Sequence, residues 1–146
     1  AGAADRLLEM SAAYANERVQ FGKPIGRQQA LQQNLAIMAE DSVAARIAAQ
    51  LGAASGLPPK LAAAAAAKVT ASSAAARIAA TAHAVHGAIG VSAEFDLQLL
   101  TRRLHEWRLA DGSEGYWSKL LGGVRMKNER GSVDFIRAQA FLEGAG

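Results

Sequence analysis

A basic stretch between two helical segments contains the first residues that could bind a ligand. Residues 14–29 read YANERVQFGKPIGRQQ. Gly22 and Pro24 are unfavourable inside a helix, so they predict a break between one helix and the next. Arg18 and Lys23 would then lie beside backbone groups freed at the helix ends, a suitable place for an anion such as a pyrophosphate. An ordinary helical corner with solvated charges explains the same spacing.

Three histidines and no cysteine limit the metal and nucleophile chemistry of the chain. A metal site would have to use His83, His86 and His105 with carboxylates. His83 and His86 are three residues apart near a helix end, but no further ligand stands at a suitable spacing. We therefore interpret them as core or helix-terminating residues and predict no metal. The sequence also contains no Gly-x-Ser-x-Gly elbow, phosphate-binding loop or dinucleotide fingerprint.

The composition predicts an all-α fold. Hydrophobic residues make up 51% of the 146 residues, alanine is the largest part of that fraction, and aromatic residues make up 5%. Alanine is the best helix former but fills a core poorly, so we expect closely packed helices. No segment shows the alternation of valine and isoleucine that is typical of strands.

Apolar periodicity, together with the glycines and prolines, predicts five helices. Their expected spans are Ala3–Val19, Gln28–Leu51, Pro59–Val85, Phe95–Leu109 and a last helix from after Ser113 to Asn128. Gly52, Gly56 and the pair Pro58–Pro59 are expected to end the second helix. The third helix would be about 40 Å long, which indicates a long antiparallel bundle. Residues 131–146 could dock as a further short helix with a frayed end.

Charge and hydropathy limit the classes of partner. The net charge is +3 with a pI near 9.6, and the basic residues are scattered without aromatic interleaving, so nucleic-acid binding is not predicted. The chain has no secretory signal pattern and no apolar run of about 20 residues, so we expect a soluble, cytoplasmic protein with no membrane contact. Residues 1–146 are treated as one domain. Their start in a helical pattern without methionine favours a fragment of a larger protein.

Three stretches resemble, in the right order, sequences typical of the C-terminal helical domain of acyl-CoA dehydrogenases. Residues 14–25 are similar to the family pattern Y-x-x-x-R-x-Q-F-G-K-P-I, and residues 29–38 continue it. Residues 85–90, VHGAIG, resemble Q-x-H-G-G-x-G and follow an Ala-Lys pair earlier in the same helix. Residues 100–113 end in ADGS, which resembles x-E-G-T. The resemblance extends from about Ala3 to Arg130.

This resemblance implies an antiparallel, up-down-up-down four-helix bundle at the end of a three-domain protein. The N-terminal helical domain and the middle β-domain of that protein would lie outside this chain. It also implies FAD as the cofactor, an acyl-CoA thioester as the substrate, and a dimer or tetramer of like or unlike subunits. Arg18 would bind the FAD pyrophosphate of a partner subunit, since a guanidinium can bind phosphate oxygens bidentately. The other cofactor-binding positions implied are Gln20, Phe21, Gln28, Gln29, His86, Gly87, Ala88 and Ser113.

Asp111 occupies the position at which the family commonly has a glutamate base. By resemblance, its carboxylate would remove the α-proton of the thioester while a hydride passes from the β-carbon to the flavin. Aspartate reaches about 1.5 Å less far than glutamate, and misplacement on that scale can cost about a hundredfold in rate. The residues also allow a second role. Asp-Gly-Ser-Glu before a helix is a capping-box pattern, with Asp111 as the N-cap and Glu114 at the third position.

Departures from the family pattern leave other functions open. Ala84 replaces a glutamine, Ala88 replaces a glycine and Gly115 replaces a polar residue, so some side-chain hydrogen bonds to FAD would be lost. These changes suit a non-catalytic partner subunit of the same fold, or a helical interaction domain without a cofactor. Because the β-domain is missing, the isolated chain is expected to be inactive and to bind flavin weakly at most.

Overall fold

A computed structural model gives the conformation of residues 1–140, which fold into six helices and one short antiparallel ribbon. The helices are α1 (Gly2–Glu17), α2 (Gln29–Ala54), α3 (Leu61–His86), α4 (Leu97–Leu109), α5 (Glu114–Met126) and α6 (Ser132–Ala140). The all-α prediction is confirmed. Within residues 1–140, no helix has the length and apolar character needed to cross a membrane. The expectation of a frayed end falls on residues 141–146, outside the described residues.

Helix α3 is the central element of the bundle and lies against α1, α2, α4 and α5. Its buried side chains are mostly alanines, so the neighbouring helices approach its backbone closely. The larger core side chains come mainly from the surrounding helices, with Leu7 in α1, Met38 in α2 and Leu97 in α4. Helices α4 and α5 together run antiparallel to α3 and complete the expected four-helix arrangement.

Polar side chains join the long helices to one another. The Ser42 hydroxyl in α2 donates a hydrogen bond to the Asp5 carboxylate in α1 at 2.5 Å. The Arg77 guanidinium in α3 binds both carboxylate oxygens of Asp41 in α2, at 2.9 and 2.5 Å. These contacts fix how α1, α2 and α3 are arranged along their lengths.

Gly52 lies inside α2, although the sequence predicted that it would help to end this helix. A Cβ atom at Gly52 would lie 2.8 Å from the Cβ of Ala67 in α3, which is closer than two non-bonded carbon atoms can approach. The glycine is therefore required by the contact between two helices. Helix α2 continues to Ala54, and its connection to α3 begins at Ser55, whose hydroxyl donates to the Gly52 carbonyl.

The first helix ends two residues before the predicted boundary because the chain enters an antiparallel ribbon. Its strands are β1 (Val19–Gln20) and β2 (Lys23–Pro24). Phe21 and Gly22 form the turn with φ angles of 53° and 77°. Positive φ at both central residues is typical of a two-residue hairpin, and Gly22 adopts it without steric cost. The sequence predicted the break but not the strands, since two-residue strands have no periodicity.

Substituting two helical glycines by alanine should have opposite effects on stability. Gly52→Ala is expected to lower the free energy of unfolding by about 1–2 kcal/mol, because overpacking against α3 exceeds the gain in helix propensity. Gly122 in α5 is the matched control, since a Cβ atom there would meet no atom within 4 Å. Gly122→Ala should raise the free energy by about 0.5–1 kcal/mol. Urea unfolding followed by circular dichroism measures both, and a gain in both would contradict the close contact at Gly52.

Candidate functional site

A cleft of about 520 Å³ lies where the β1–β2 ribbon meets the C-terminal end of α3. We refer to it as the ribbon cleft. The predicted cofactor-binding residues that line it are Arg18, Gln20, His86, Gly87 and Ala88. Its remaining walls are formed by Tyr14, Ile25, Ala84, Val85 and Ile89. The sequence therefore identified half of the lining, although these residues come from two parts of the chain about 70 positions apart.

Arg18 supplies the positive charge of the ribbon cleft. Its backbone N–H donates to the Tyr14 carbonyl at 2.8 Å, which closes α1, and its own carbonyl accepts from the Ile25 N–H at 2.8 Å. These two bonds fold the ribbon back against the helix. The Arg18 guanidinium forms no ion pair with residues 1–140, and no carboxylate lines the cleft. It can therefore bind an anionic ligand.

His86 forms the buried inner wall of the ribbon cleft. Its ring stacks on Tyr14 with centroids 4.5 Å apart and also contacts Phe95. Its Nδ1 lies 2.8 Å from the Ala82 carbonyl, which can only accept, so we assign the proton to Nδ1. Burial lowers the pKa of His86, so the ring is neutral at pH 7. Its Nε2 is then a buried acceptor with no partner among the described residues.

His83 has a separate environment from His86. Its Nε2 lies 3.0 Å from the hydroxyl of Thr101 in α4, so it contributes to the contact between α3 and α4. Within residues 1–140, no three histidine or carboxylate side chains gather in a way that could hold a metal ion. His83 therefore contributes to helix packing, and His86 forms part of the cleft wall.

Four predicted cofactor-binding residues lie outside the ribbon cleft, and one of them, Ser113, is at the start of α5. Phe21 is at the tip of the ribbon with 91% of its surface exposed. Gln28 immediately precedes α2, and Gln29 is its exposed first residue. A second groove of about 550 Å³ between α3, α5 and α6 is largely apolar and contains none of the predicted site residues. The ribbon cleft is therefore the better candidate site for a charged ligand.

Asp111 lies in the sharp turn between α4 and α5. We refer to residues 110–113 as the Asp111 turn. The φ angle of Asp111 is 56°, uncommon for a residue with a side chain, and that of Gly112 is 101°. Ser113, not Asp111, is the N-cap of α5, and its hydroxyl accepts from the Tyr116 N–H at 3.5 Å. The predicted capping box is wrong, because the two positive φ angles place Asp111 two residues before the N-cap.

The Asp111 carboxylate is not used in local structure. Its side chain is exposed and forms no hydrogen bond with residues 1–140. Only its backbone carbonyl has a side-chain partner, accepting from the indole N–H of Trp117 at 2.9 Å. A positive φ angle at a residue other than glycine, with a side chain that makes no hydrogen bond in residues 1–140, is a reason to examine this position for a function.

Charged side chains surround the Asp111 turn. The Lys68 ammonium in α3 donates to the carbonyls of Trp107 at 2.6 Å and Ala110 at 2.8 Å. The Arg108 guanidinium binds both carboxylate oxygens of Glu114, with Nε at 2.9 and 3.1 Å. These bonds from Arg108 lower the pKa of Glu114, and Lys68 adds a smaller effect in the same direction. The sequence analysis did not predict these contacts. The opposite charges of Arg108 and Glu114, on either side of Asp111, were a signal for an ion pair across the turn.

The ribbon cleft and the Asp111 turn are far apart. Lys68 contacts the Ala110 carbonyl, and His86 lines the cleft, so α3 connects the two regions. The helical rise between Lys68 and His86 is about 27 Å at 1.5 Å per residue. The structure therefore brings Arg18, Gln20 and residues 86–88 together but places Asp111 and Ser113 in a second region.

Residues 1–121 match the family described as acyl-CoA dehydrogenase, C-terminal domain. The chain belongs to the acyl-CoA dehydrogenase family. It is 38% identical over 104 residues to acyl-CoA dehydrogenase IpdE2 of Mycolicibacterium smegmatis, covering 71% of this chain and 32% of the relative. It is 35% identical over 113 residues to 3-sulfinopropanoyl-CoA desulfinase of Paraburkholderia xenovorans, covering 77% and 29%.

A solved relative confirms the fold of this acyl-CoA dehydrogenase domain. The ChsE4–ChsE5 complex of Mycobacterium tuberculosis superposes with a TM-score of 0.83 and 28% identity, covering 88% of this chain and 36% of that one. The resemblance indicated by the sequence motifs is thus confirmed. The chain spans about a third of the length of the curated relatives it matches.

The Arg108–Glu114 pair should make stability depend on pH in the acid range. The pKa of Glu114 is lower in the folded chain than its ordinary value of about 4.3. The ionised Glu114 carboxylate therefore contributes fully to the free energy of unfolding above about pH 4.3, and this contribution is lost as the pH falls through the lower pKa of the folded chain. The stability difference between the unaltered chain and Glu114→Gln should therefore be constant from about pH 5 to 8 and shrink below about pH 4. Glu94→Gln, at an exposed residue without an ion pair in residues 1–140, is the control. A difference that grows in acid would contradict the assignment.

Proposed function

We propose that this domain is the C-terminal part of a FAD-dependent acyl-CoA dehydrogenase in which Asp111 is the catalytic base. The observation that carries the proposal is the Asp111 turn. Its carboxylate is exposed, makes no hydrogen bond with the described residues and is not the helix cap, yet its backbone is held at an unfavourable φ angle. Residues other than glycine with a positive φ angle cluster at functional sites, which supports a role for this side chain outside the fold.

The proposed reaction assigns proton transfer to the protein. The Asp111 carboxylate takes the α-proton of an acyl-CoA thioester, where the neighbouring carbonyl makes that proton acidic. Bound FAD would supply the acceptor for the hydride that leaves the β-carbon. Because aspartate is one methylene shorter than glutamate, the position of its backbone decides whether the carboxylate reaches the α-carbon.

The ribbon cleft fits the nucleotide part of FAD. Arg18, whose guanidinium forms no ion pair with residues 1–140, is available to bind the pyrophosphate, and Gln20 lines the same cleft. Gly87 offers open backbone, because a Cβ atom there would meet no atom within 4 Å. The Nε2 of His86, which has no hydrogen-bond partner in the part of the chain that the structure describes, suits a hydroxyl or amino donor of the nucleotide. Ala84 provides no amide group, so we assign the binding mainly to Arg18 and the backbone of residues 87–88.

The distance between the two regions favours an oligomer. We infer that the Asp111 turn serves the active site of its own subunit, while the ribbon cleft binds the FAD of a neighbouring subunit. The separation of about 27 Å along α3 supports this division, since each region then contacts a different flavin. The rest of the full-length protein would provide the N-terminal and β-domains that complete each site.

A non-catalytic partner subunit is the second candidate function. It is favoured by the aspartate in place of glutamate and by Ala84 and Ala88 in the ribbon cleft. The structural relative ChsE4–ChsE5 is a complex of two named components, which makes an unlike partner a reasonable alternative. The two candidates differ in what Asp111 does, and substituting this residue distinguishes them.

Asp111→Asn in the full-length protein should lower kcat for acyl-CoA dehydrogenation by about 10²–10⁴-fold, because the amide cannot accept the proton. Flavin content and the unfolding midpoint should not change, since the carboxylate has no hydrogen-bond or ion-pair partner within residues 1–140. Reduction of an artificial electron acceptor measures turnover. Asp96→Asn, at a helix start where the side chain forms no cap, is the matched control. Unchanged turnover in Asp111→Asn would exclude this residue as the base and favour the non-catalytic alternative.

Arg18→Gln should weaken FAD binding by the full-length protein about tenfold to a hundredfold, because a charged hydrogen bond to phosphate is lost. Flavin absorbance retained after dialysis against increasing salt measures the effect. The control is Arg27→Gln, at an exposed residue of the neighbouring turn. Equal retention in both variants would contradict the assignment of the pyrophosphate to Arg18.

A further inference from the structure

Three charged side chains hold the Asp111 turn in its conformation. We propose that Lys68, Arg108 and Glu114 are positioning residues, which set the place of the Asp111 carboxylate by fixing the backbone on both sides of it. This inference rests on the proposed function of Asp111 as the base. The three residues would act through the turn and not by touching the substrate.

Lys68 connects the turn to the centre of the bundle. The last carbonyl groups of a helix have no partners within the helix, and a cation near them is also favoured by the helix dipole. The Lys68 ammonium binds one such carbonyl, that of Trp107, at 2.6 Å, and also the carbonyl of Ala110, the residue after the helix end, at 2.8 Å. Because Lys68 is on α3, the helix that contacts most of the others, the backbone immediately before Asp111 is held by the bundle core.

The Arg108–Glu114 pair closes the turn from the other side. Arg108 is in the last turn of α4 and Glu114 is the first residue of α5. Their side chains are 32% and 26% exposed, so the pair is partly shielded from water. Two parallel bonds between a guanidinium and a carboxylate restrict both distance and orientation. The pair therefore fixes how far apart the two helix ends can lie while the Asp111 turn connects them.

The indole of Trp117 fixes the orientation of the peptide group that follows Asp111. Its N–H donates to the Asp111 carbonyl at 2.9 Å. The same ring lies against Gly112, where a Cβ atom would come within 2.8 Å of Tyr116 and 2.9 Å of Trp117. The turn therefore has contacts before, across and after Asp111. A strained residue persists only when its surroundings determine its conformation in this way.

The Arg108–Glu114 pair lies at the Asp111 turn, which distinguishes it from a similar pair elsewhere in the bundle. Arg77 and Asp41 form a similar bidentate pair, but they join α2 to α3 and do not contact the Asp111 turn. The two pairs have the same chemistry. Breaking each one in turn therefore distinguishes the effect of losing any ion pair from the effect of losing a contact that positions the Asp111 turn. Arg77 is therefore the matched control for Arg108.

The experiment compares Arg108→Gln, Lys68→Met and Arg77→Gln in the full-length protein with its flavin bound. We expect kcat to fall about tenfold to a hundredfold in Arg108→Gln and Lys68→Met, since displacement of a base by about an ångström has that effect. KM and flavin content should change less than about threefold, and the pH profile should keep its shape with a lower plateau. Arg77→Gln should keep kcat within about twofold.

A second measurement reports on the turn without turnover. Hydrogen–deuterium exchange of the peptide covering residues 107–117 should be about tenfold faster in Arg108→Gln and Lys68→Met, because local opening becomes easier. It should not change in Arg77→Gln. The double variant Arg108→Glu with Glu114→Arg re-forms the pair in the opposite sense and should recover most of kcat and of the protection.

Two results would overturn the proposal. One is faster exchange in the 107–117 peptide with unchanged kcat, which would mean that the conformation of the turn does not matter for catalysis. The other is unchanged exchange in Arg108→Gln, which would mean that the pair does not hold the turn. A failure of the base assignment would be seen separately, as full turnover in Asp111→Asn, and the exchange data would still test the contacts.

Discussion

Close contact between the backbones of α2 and α3 is the constraint on which the rest of the structure depends. It is possible because buried alanines line α3 and because Gly52 has no side chain where α2 approaches Ala67. Small residues contribute little apolar area each, so the bundle obtains its stability from many short contacts along two helices of 26 residues. This packing surrounds α3 with other helices, and both candidate functional regions include residues of α3.

The two regions use α3 in different ways. At its C-terminal end, His86 packs between Tyr14 and Phe95 and supports the backbone turn that lines the ribbon cleft. In the N-terminal half of α3, the Lys68 side chain extends to the carbonyls at the end of α4 and so holds the Asp111 turn. One helix therefore fixes the relative position of the ribbon cleft and the Asp111 turn.

Much of this arrangement could be predicted from the sequence, and the exceptions have physical reasons. The helices were predicted because alanine content and apolar periodicity are local properties of the chain. The role of Gly52 could not be predicted, because a glycine that ends a helix and one that permits a helix contact look the same before the neighbouring helix is known. Similarly, Asp111 matched a capping pattern, but the positive φ angles at 111 and 112 moved the cap to Ser113.

The separation of about 27 Å between the ribbon cleft and the Asp111 turn has a consequence for how such proteins can evolve. Under the proposed function, the two regions of one chain belong to different active sites, so they are not required to remain together in the same polypeptide. After gene duplication, one copy could lose its carboxylate and keep Arg18, while the other kept its carboxylate and lost the cleft. Each would then be inactive alone and active only with its sister chain. Because the two regions lie far apart along a single alanine-rich helix, the loss of one region from each copy is sufficient to produce an obligate pair of unlike subunits.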